Sequence, residues 1–310
     1  MGGLRVDQIL ARLLDDYSRS LIQDWIEAGW VQVDNRCLRA KDRLAGGERV
    51  RVRAQIQNAI EPQPEAIDLV VVYQDADLLV IDKPAGLVVH PGAGQPAGTV
   101  QNALLNLDPA LAALPRAGIV HRLDKDTTGL MVIARTHRAH KTLIADLAAR
   151  RVTREYLAVV NGAVTSDGRV DAPIGRHPSQ RTRMAVVARG KPALTHYRVA
   201  ARYRDATILR VRLGSGRTHQ IRVHMQSIGH PLLGDPLYGP RRIPAPTARG
   251  IAAAGLTRQA LHARLLRLAH PSTGDEVRWR ARVPDDLARL IRWLQDNARQ
   301  DTARQDNARR

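Results

Sequence analysis

The side chains best suited to acid–base or nucleophilic chemistry crowd into one stretch, GIVHRLDKDTTGLMVIART, at residues 118–136. An apolar run at residues 130–134 follows them directly and predicts a buried strand. The charged residues therefore form a loop that leads into a strand, where a rigid scaffold can position reactive groups. Within six consecutive positions, the chain places His121, Arg122, Asp124, Lys125 and Asp126.

We expect different roles for the two carboxylates of this loop. Asp126 precedes Thr127, Thr128 and Gly129, a pattern typical of an Asx-type turn, so we expect it to be structural. Asp124 has no such local role, and an acid at this position can be a nucleophile, an acid or base, or a turn residue. The stretch alone leaves a catalytic and a structural role for Asp124 equally open.

A second polar stretch, LGSGRTHQIRVHMQSIGHPLLGDPLYG at residues 213–239, offers a partner for a buried carboxylate, which must be paired. We expect Thr218 to cap a helix that starts near His219 and presents Arg222. Arg222 or Arg217 would then hold the carboxylate in a forked ion pair. His219 and His224 diverge by about 140° around such a helix, so we expect no metal site there.

Two further stretches have both a structural and a functional interpretation. Tyr156 in VTREYLAVVNG lies in a predicted strand, where a packed tyrosine is the simpler interpretation. The loop at residues 175–193 contains Arg181 and Arg183 among five basic residues and no acidic one. It is either a solvated loop or an arm that contacts phosphates.

Composition narrows the class of protein. The 310 residues carry a formal net charge of +18, which favours a polyanionic partner over a merely solvated surface. The single cysteine, Cys37, excludes a disulfide framework and a multi-thiolate metal site. The sequence has no secretory signal, no apolar run long enough to span a bilayer and no glycine-rich nucleotide motif, so we expect a cytoplasmic protein without a cofactor.

The predicted elements fall into two regions. Residues 1–60 combine two amphipathic helices, the second capped by Ser18, with two strands around an Asp34–Asn35 turn. Residues 61–68 form a linker, and residues 69–294 alternate many short strands with few helices, which predicts an α+β domain with a mixed, largely antiparallel sheet. The polar pentads of residues 295–310 predict a frayed helix extension or, as we favour, a disordered tail.

Five motifs together resemble the RluA/RluD-type pseudouridine synthases, in the order of that family, from about residue 69 to residue 284. They are DLLVIDKPAGLVVHPG, GIVHRLDKDTTGLMVIA, REYLAVVNG, SGRTHQIRVHM with GHPLLGDPLYG, and RQALHARLLRLAHP. Residues 4–53 resemble the small alpha-L RNA-binding domain, like that of a ribosomal protein, that many members carry at the N-terminus. The combination is similar to members that modify large-subunit ribosomal RNA.

The resemblance implies a site and a substrate. Asp124 matches the catalytic aspartate of the family, Tyr156 its active-site tyrosine and Arg222 the arginine that forms an ion pair with the aspartate. Arg122 matches an arginine thought to displace the target base from its stack. The expected activity is isomerisation of uridine to pseudouridine in ribosomal RNA of a pre-ribosomal particle, by a monomer that needs no metal or cofactor. The other expected substrate-binding residues are His121, Arg217, His219 and Leu261, and the expected RNA-binding residues are Arg19, Arg36, Arg39, Lys41, Arg181 and Arg183.

Two other functions compete with this one. A non-catalytic RNA-binding or ribosome-assembly protein would not need Asp124, Tyr156 and Arg222 together. A glycoside hydrolase would need a second carboxylate about 5–10 Å across a pocket from Asp124, and Asp126 is too close in sequence to supply it.

Overall fold

The structure is a computed structural model that describes residues 3–14, 19–53, 62–92, 94–180 and 182–309. The chain divides into two compact units, residues 1–61 and residues 62–310. Ser18, the predicted helix cap, and Arg181, a predicted RNA-binding residue, lie outside the described residues.

The first unit is built from two helices and a short hairpin. The elements are α1 (Val6–Leu13), α2 (Arg19–Glu27), β1 (Val31–Val33) and β2 (Val50–Val52), with the two strands antiparallel. The apolar face of α1 packs with that of α2 and with β1 around Trp25. Asp34 and Asn35 both have positive φ angles, 46° and 63°, which confirms the predicted tight turn.

The second unit contains five helices and eleven strands among the residues that the structure describes. The helices are α3 (Val100–Leu107), α4 (His137–Ala148), α5 (Gln220–Ser227), α6 (Ala245–Ala254) and α7 (Asp285–Arg309). The strands are β3 (Val70–Gln74), β4 (Leu78–Lys83), β5 (Thr128–Ala134), β6 (Thr153–Asn161), β7 (Gly168–Asp171), β8 (Ile174–Arg176), β9 (Met184–Val186), β10 (Leu194–Arg202), β11 (Ala206–Leu213), β12 (Leu261–Ala269) and β13 (Glu276–Arg280).

Nine of these described strands form one sheet in the order β3-β4-β5-β12-β6-β11-β10-β7, with β13 also paired to β12. Only the pair of β5 and β12 is parallel, and β8 and β9 form a separate antiparallel pair. This arrangement confirms the predicted α+β class with a mixed, largely antiparallel sheet.

Strand β5 lies inside this sheet, and all seven of its residues are buried. The apolar run that follows the charged loop is therefore a central strand, as the sequence predicts. Gly129 is needed where β5 meets β12, because a Cβ atom there would lie 2.3 Å from the carbonyl oxygen of Ala263. The loop before β5 is thus anchored to the most buried part of the unit.

The C-terminal segment differs from the favoured expectation of a disordered tail. Helix α7 continues from Asp285 through the polar pentads to Arg309. Its apolar residues Leu287, Leu290 and Leu294 pack on the sheet, and the pentads follow in the same helix. No helix within the described part of the chain is long and apolar enough to cross a membrane.

Candidate active site

A cavity of about 590 Å³ opens in the second unit between the loop before β5, strand β6 and the segment that leads into α5. The residues expected to act in catalysis, Asp124, Tyr156 and Arg222, all line it. The five expected substrate-binding residues line it as well, namely His121, Arg122, Arg217, His219 and Leu261. The fold thus joins in one cavity side chains that the sequence spreads over 141 positions, from 121 to 261.

Asp124 lies in the loop with its side chain 14% exposed, and Arg222 donates a hydrogen bond from Nη1 to its Oδ2 at 3.2 Å. Arg217, the alternative partner, instead donates from Nε to the carbonyl of Pro192. The turn after Asp124 is closed by the backbone, since the N–H of Thr127 donates to the carbonyl of Asp124 at 3.0 Å. The turn exists as expected, but the carboxylate of Asp126 does not close it.

The forked ion pair of Arg222 goes to Asp235 and not to Asp124. Arg222 donates from Nε and Nη2 to the two carboxylate oxygens of Asp235, at 2.7 and 2.8 Å. Asp235 also accepts the backbone N–H groups of Leu237 and Tyr238, each at 2.9 Å. Burial alone would raise the pKa of Asp235, but these hydrogen bonds and the charge of Arg222 outweigh it and lower the pKa. The expectation that Arg222 forms its forked ion pair with Asp124 is therefore wrong. Asp235 orients Arg222, which reaches Asp124 with its remaining nitrogen.

Tyr238 forms the second support of this arginine. Its ring lies 4.9 Å from the guanidinium carbon of Arg222, within the range of a cation–π contact. Its hydroxyl accepts the N–H of Met184 at 2.8 Å and shares a hydrogen bond of 2.8 Å with Nδ1 of His219. One buried tyrosine therefore connects Arg222, His219 and strand β9.

His219 also explains why the predicted start of α5 is displaced. Helix α5 begins at Gln220, and its N-cap residue is His219 in the left-handed conformation, with φ 56°, rather than Thr218. The hydrogen bond to Tyr238 holds the imidazole in place. Thr218 is therefore not the helix cap that the sequence predicts.

An aromatic and an aliphatic side chain from two neighbouring strands also line the cavity. Tyr156 on β6 is buried, and burial, with the charge of Asp124, raises the pKa of its hydroxyl although Arg154 acts in the other direction. Leu261 at the start of β12 is buried beside it, paired with Ala158 of β6. A neutral phenol and an aliphatic side chain offer a planar base a dry surface.

His121 faces the same cavity as a neutral ring. Its Nε2 accepts the backbone N–H of Val132 at 3.1 Å, so the proton of the neutral imidazole is on Nδ1. Burial, with a smaller contribution from the positive charge of Arg154, lowers the pKa of His121 to about 3. His121 therefore ties the charged loop to β5 and keeps an N–H group for another partner.

Two buried cations hold the backbone immediately after Asp124. Lys83 donates from Nζ to three carbonyl oxygens, those of Pro84, Leu87 and Lys125, at 2.7, 2.9 and 2.8 Å. Arg258 donates to the carbonyl of Asp126 at 3.2 Å and forms a bidentate ion pair with Asp286. Burial lowers the pKa of Lys83 to about 7, against the opposing charges of Asp126 and Asp124. These contacts fix the path of the loop, and hence the direction of Asp124.

Sequence reasoning missed four of these supporting residues, namely Lys83, Asp235, Tyr238 and Arg258. Each lies in a motif that carries the family resemblance: IDKP, GDPLYG and RQALHARL. The available signal was a charged or polar side chain inside an otherwise apolar run, which implies a buried and paired group.

The expected RNA-binding residues occupy different environments. Arg36, Arg39 and Lys41 are exposed on the first unit. Arg19 is instead committed to buried Asp7, with an ion pair of 2.8 Å. Arg183, which lies in the second unit, contacts the ring of Tyr238 at 5.1 Å and the carbonyl of Leu237, so it packs against the tyrosine that supports Arg222.

Comparisons with known proteins agree with this architecture. Residues 77–227 match the family model described as RNA pseudouridylate synthase, and residues 4–50 match the model of the S4 domain. A solved structure of human RNA pseudouridylate synthase domain containing 4 aligns with a TM-score of 0.58 and 27% identity, over 73% of this chain and 93% of that one. A second, human RNA pseudouridylate synthase domain containing 1, aligns with a TM-score of 0.53 and 27% identity, over 70% and 84%.

The chain therefore belongs to the RNA pseudouridine synthases, a family of isomerases. It is 54% identical to ribosomal large subunit pseudouridine synthase D of Nitrosomonas europaea over 96% of this chain and 86% of that protein. It is 52% identical to the protein of the same name from Escherichia coli K12, over 93% and 90%.

Proposed function

We propose that this protein isomerises specific uridines to pseudouridine in large-subunit ribosomal RNA, with Asp124 as the catalytic carboxylate. The observation that carries the proposal is the cavity in which Asp124 is held by Arg222 beside Tyr156. The names of the relatives from Nitrosomonas europaea and Escherichia coli support the choice of substrate. The alpha-L unit and the net charge of +18 support a large RNA partner.

The reaction breaks the bond between uracil N1 and ribose C1′, turns the base, and joins C5 to C1′. A proton leaves C5 and N1 gains one, so the atoms balance without a co-substrate. A stacked base cannot turn, and the enzyme must first extrude it, at a cost of a few kcal/mol. Arg122 is exposed and lines the cavity, which supports a role in filling the gap that the extruded base leaves.

The side chains of the cavity divide the remaining tasks. Asp124 acts as an ionised nucleophile or an electrostatic stabiliser as the glycosidic bond breaks. Arg222 aims that carboxylate, and Tyr156 and Leu261 bind the faces of the uracil. Arg217 and His219 line the same cavity, which supports contacts of both with the nucleotide.

The competing functions fit this geometry less well. Among the described residues that line the cavity, Asp124 is the one carboxylate, whereas glycoside hydrolysis uses two that face each other. A protein that only binds RNA would have no use for a carboxylate held by a buried arginine in a cavity of this size.

Replacement of the catalytic carboxylate tests the proposal directly. Asp124→Asn keeps the size of the side chain and removes its charge, so we expect pseudouridine formation in a large-subunit ribosomal RNA transcript to fall by about 10³-fold or more. RNA affinity should change less than about threefold, since the phosphate contacts remain. Asp126→Asn, in the same loop, is the matched control and should keep most of the activity. Wild-type activity of Asp124→Asn would refute the proposed role.

The target uridines can be identified by mapping pseudouridines in ribosomal RNA from cells with and without the gene. Loss of no site in large-subunit RNA would contradict the proposed substrate. Action as a monomer, in the cytoplasm and on a pre-ribosomal particle, remains a prediction from the sequence.

A further inference from the structure

The cavity contains polar groups that the mechanism above does not use. Six buried side-chain nitrogen or oxygen atoms lack a hydrogen-bond partner in the described part of the chain. Three of them belong to residues that line this one cavity: Nδ1 of His90, Nδ1 of His121 and Nε of Arg154. Since buried polar groups are almost always satisfied, their concentration here points to a ligand that the cavity is built to receive.

Arg154 is the most unusual of the three. The described residues include three buried arginines, Arg154, Arg222 and Arg258, which are 9%, 6% and 6% exposed. Arg222 and Arg258 each form a bidentate pair with a buried or half-buried aspartate. The side chain of Arg154 forms no ion pair or hydrogen bond with any described residue, and its Nε atom is buried. A buried guanidinium nitrogen without a partner is costly, and its place at a cavity is explained if a ligand supplies that partner.

Arg154 lines the cavity that would hold the target nucleotide. It precedes Tyr156 by two residues on β6, so both side chains lie on the same face of the sheet. The loop before α5 passes directly over it, and a Cβ atom at Gly216 would come 3.1 Å from Nη1 of Arg154. Because Gly216 has no Cβ atom, there is space for the guanidinium of Arg154 at the cavity wall.

The charges around Arg154 determine which ligand suits it. The cavity is also lined by Arg116, Arg122, Arg150 and Arg217, whereas Asp124 is the one acidic residue among its described lining residues and is already paired with Arg222. The charge of Arg154 is repelled by these other arginines, and this repulsion raises the free energy of the empty cavity. A full negative charge relieves this repulsion, while the dipole of a uracil carbonyl relieves little of it.

His121 adds a neutral donor to the same wall. Because its Nε2 accepts the N–H of Val132, its buried Nδ1 carries the proton and has no acceptor among the described residues. A phosphate group has several oxygens and can accept hydrogen bonds from Arg154 and His121 together.

We propose that Arg154, assisted by the N–H of His121, binds a phosphate group that flanks the extruded uridine, and so anchors the nucleotide while its base is detached. This inference rests on the proposed function. It makes Arg154 a binding residue for the RNA backbone at the reaction centre, distinct from the exposed cations of the first unit. The anchoring matters because the detached uracil must turn while the ribose remains in place.

The test compares Arg154→Met with Arg278→Met, which removes an exposed arginine from β13, away from the cavity. Affinity is measured in the Asp124→Asn background, for a large-subunit ribosomal RNA fragment that contains a uridine the wild-type protein modifies. For Arg154→Met we expect about tenfold weaker binding, and a slope of log K against log salt that is smaller in magnitude by about 1, as for the loss of one phosphate contact. Arg154→Lys keeps the charge and should keep the slope. Arg278→Met should match the parent protein in both.

The melting temperature separates this role from a structural one. Removing an unpaired buried charge should leave the melting temperature of Arg154→Met unchanged or higher. A lower melting temperature with a proportional loss of activity would overturn the inference. So would unchanged affinity, or weaker binding with an unchanged salt slope, which would mean a contact to the base. If the wild-type protein modified no uridine, the proposed function itself would fail, and this outcome is distinct from the others.

Discussion

At the scale of single residues, the carboxylate that we propose as catalytic depends on a second carboxylate, which does not line the cavity. Asp124 receives one hydrogen bond from Arg222, whereas Asp235 receives two shorter ones from the same guanidinium. The side chain of Asp235 is 0% exposed, and it also accepts two backbone N–H groups. Asp235 therefore acts as a positioning residue that fixes the orientation of Arg222.

Asp235→Asn should reduce both stability and activity. The substitution leaves Arg222 buried with Asp124 as its one carboxylate partner, and breaking a buried pair costs about 3–5 kcal/mol. We expect a loss of that size in the free energy of unfolding, measured by denaturant titration, and at least a tenfold loss of kcat. Glu276→Gln, which breaks an exposed ion pair with Arg267, is the control and should cost less than about 1 kcal/mol. Equal effects of the two variants would contradict the role of Asp235.

Buried neutral histidines should make the fold sensitive to acid. Burial, with the charge of Arg258, lowers the pKa of His262 to about 4, and Nδ1 of this ring lies 2.9 Å from Oγ1 of Thr128. Between pH 6.5 and 4 the unfolded chain takes up a proton that the native ring resists, so stability is complete above pH 6.5 and falls as the pH falls toward 4. In His262→Gln, unfolding titrations should show a pH slope in this range that is smaller by about 1.4 kcal/mol per pH unit. Parallel curves for the two proteins would rule out His262 as the titrating group.

At the scale of elements, the loop that carries Asp124 is held at both ends. Lys83 and Arg258 bind the carbonyls of residues 125 and 126, and His121 binds the backbone of β5. Buried side chains therefore hold the backbone of the loop, although the loop is rich in charge. Charged residues can therefore precede a buried strand for two reasons. Some of their side chains line the cavity, and buried partners bind the backbone between those residues and the strand.

The close contact between β5 and β12 should tolerate no side chain at residue 129. In Gly129→Ala the new Cβ would lie 2.3 Å from the carbonyl oxygen of Ala263, and the φ of 113° is unfavourable for alanine. We expect a loss of about 3 kcal/mol or more in the free energy of unfolding. Gly92→Ala, where a Cβ meets open space, should change it by less than about 0.5 kcal/mol. Similar stabilities of the two variants in denaturant would show that the strands can separate.

The elements that sequence patterns missed are those that tertiary contacts specify. Strands β7, β8 and β9 have three or four residues each, too few for a recognisable alternation. Helix α6 contains Gly250, whose missing Cβ leaves room for the ring of Trp293 on α7. A glycine inside a helix lowers its intrinsic propensity, so packing against α7 stabilises this helix.

At the scale of the whole molecule, the chain forms two compact units, and each of them contains basic residues. The second unit contains the entire cavity, while Arg36, Arg39 and Lys41 are exposed on the first. We infer that the first unit contributes RNA affinity and that the second contributes chemistry.

Deletion of residues 1–61 should therefore weaken binding more than catalysis. We expect at least about tenfold lower affinity for large-subunit ribosomal RNA in a filter-binding assay, since several phosphate contacts are lost. The rate at saturating RNA should stay within about threefold, because every residue that lines the cavity remains. Replacing Arg36, Arg39 and Lys41 with glutamine in the full chain should reproduce part of the loss of affinity. Unchanged affinity after the deletion would leave the first unit without the proposed role.

The sequence by itself determined the class of fold, the family and the identity of Asp124, Tyr156 and Arg222 as candidates, because periodicity and motifs are local properties of the chain. It did not determine that the fork of Arg222 holds Asp235, that His219 precedes α5 in a left-handed conformation, or that Arg154 has no partner. Only the tertiary structure decided these points. The pairing of a buried charge depends on which groups the fold brings within about 3 Å. Arg222 and Asp124 meet across 98 positions of the chain.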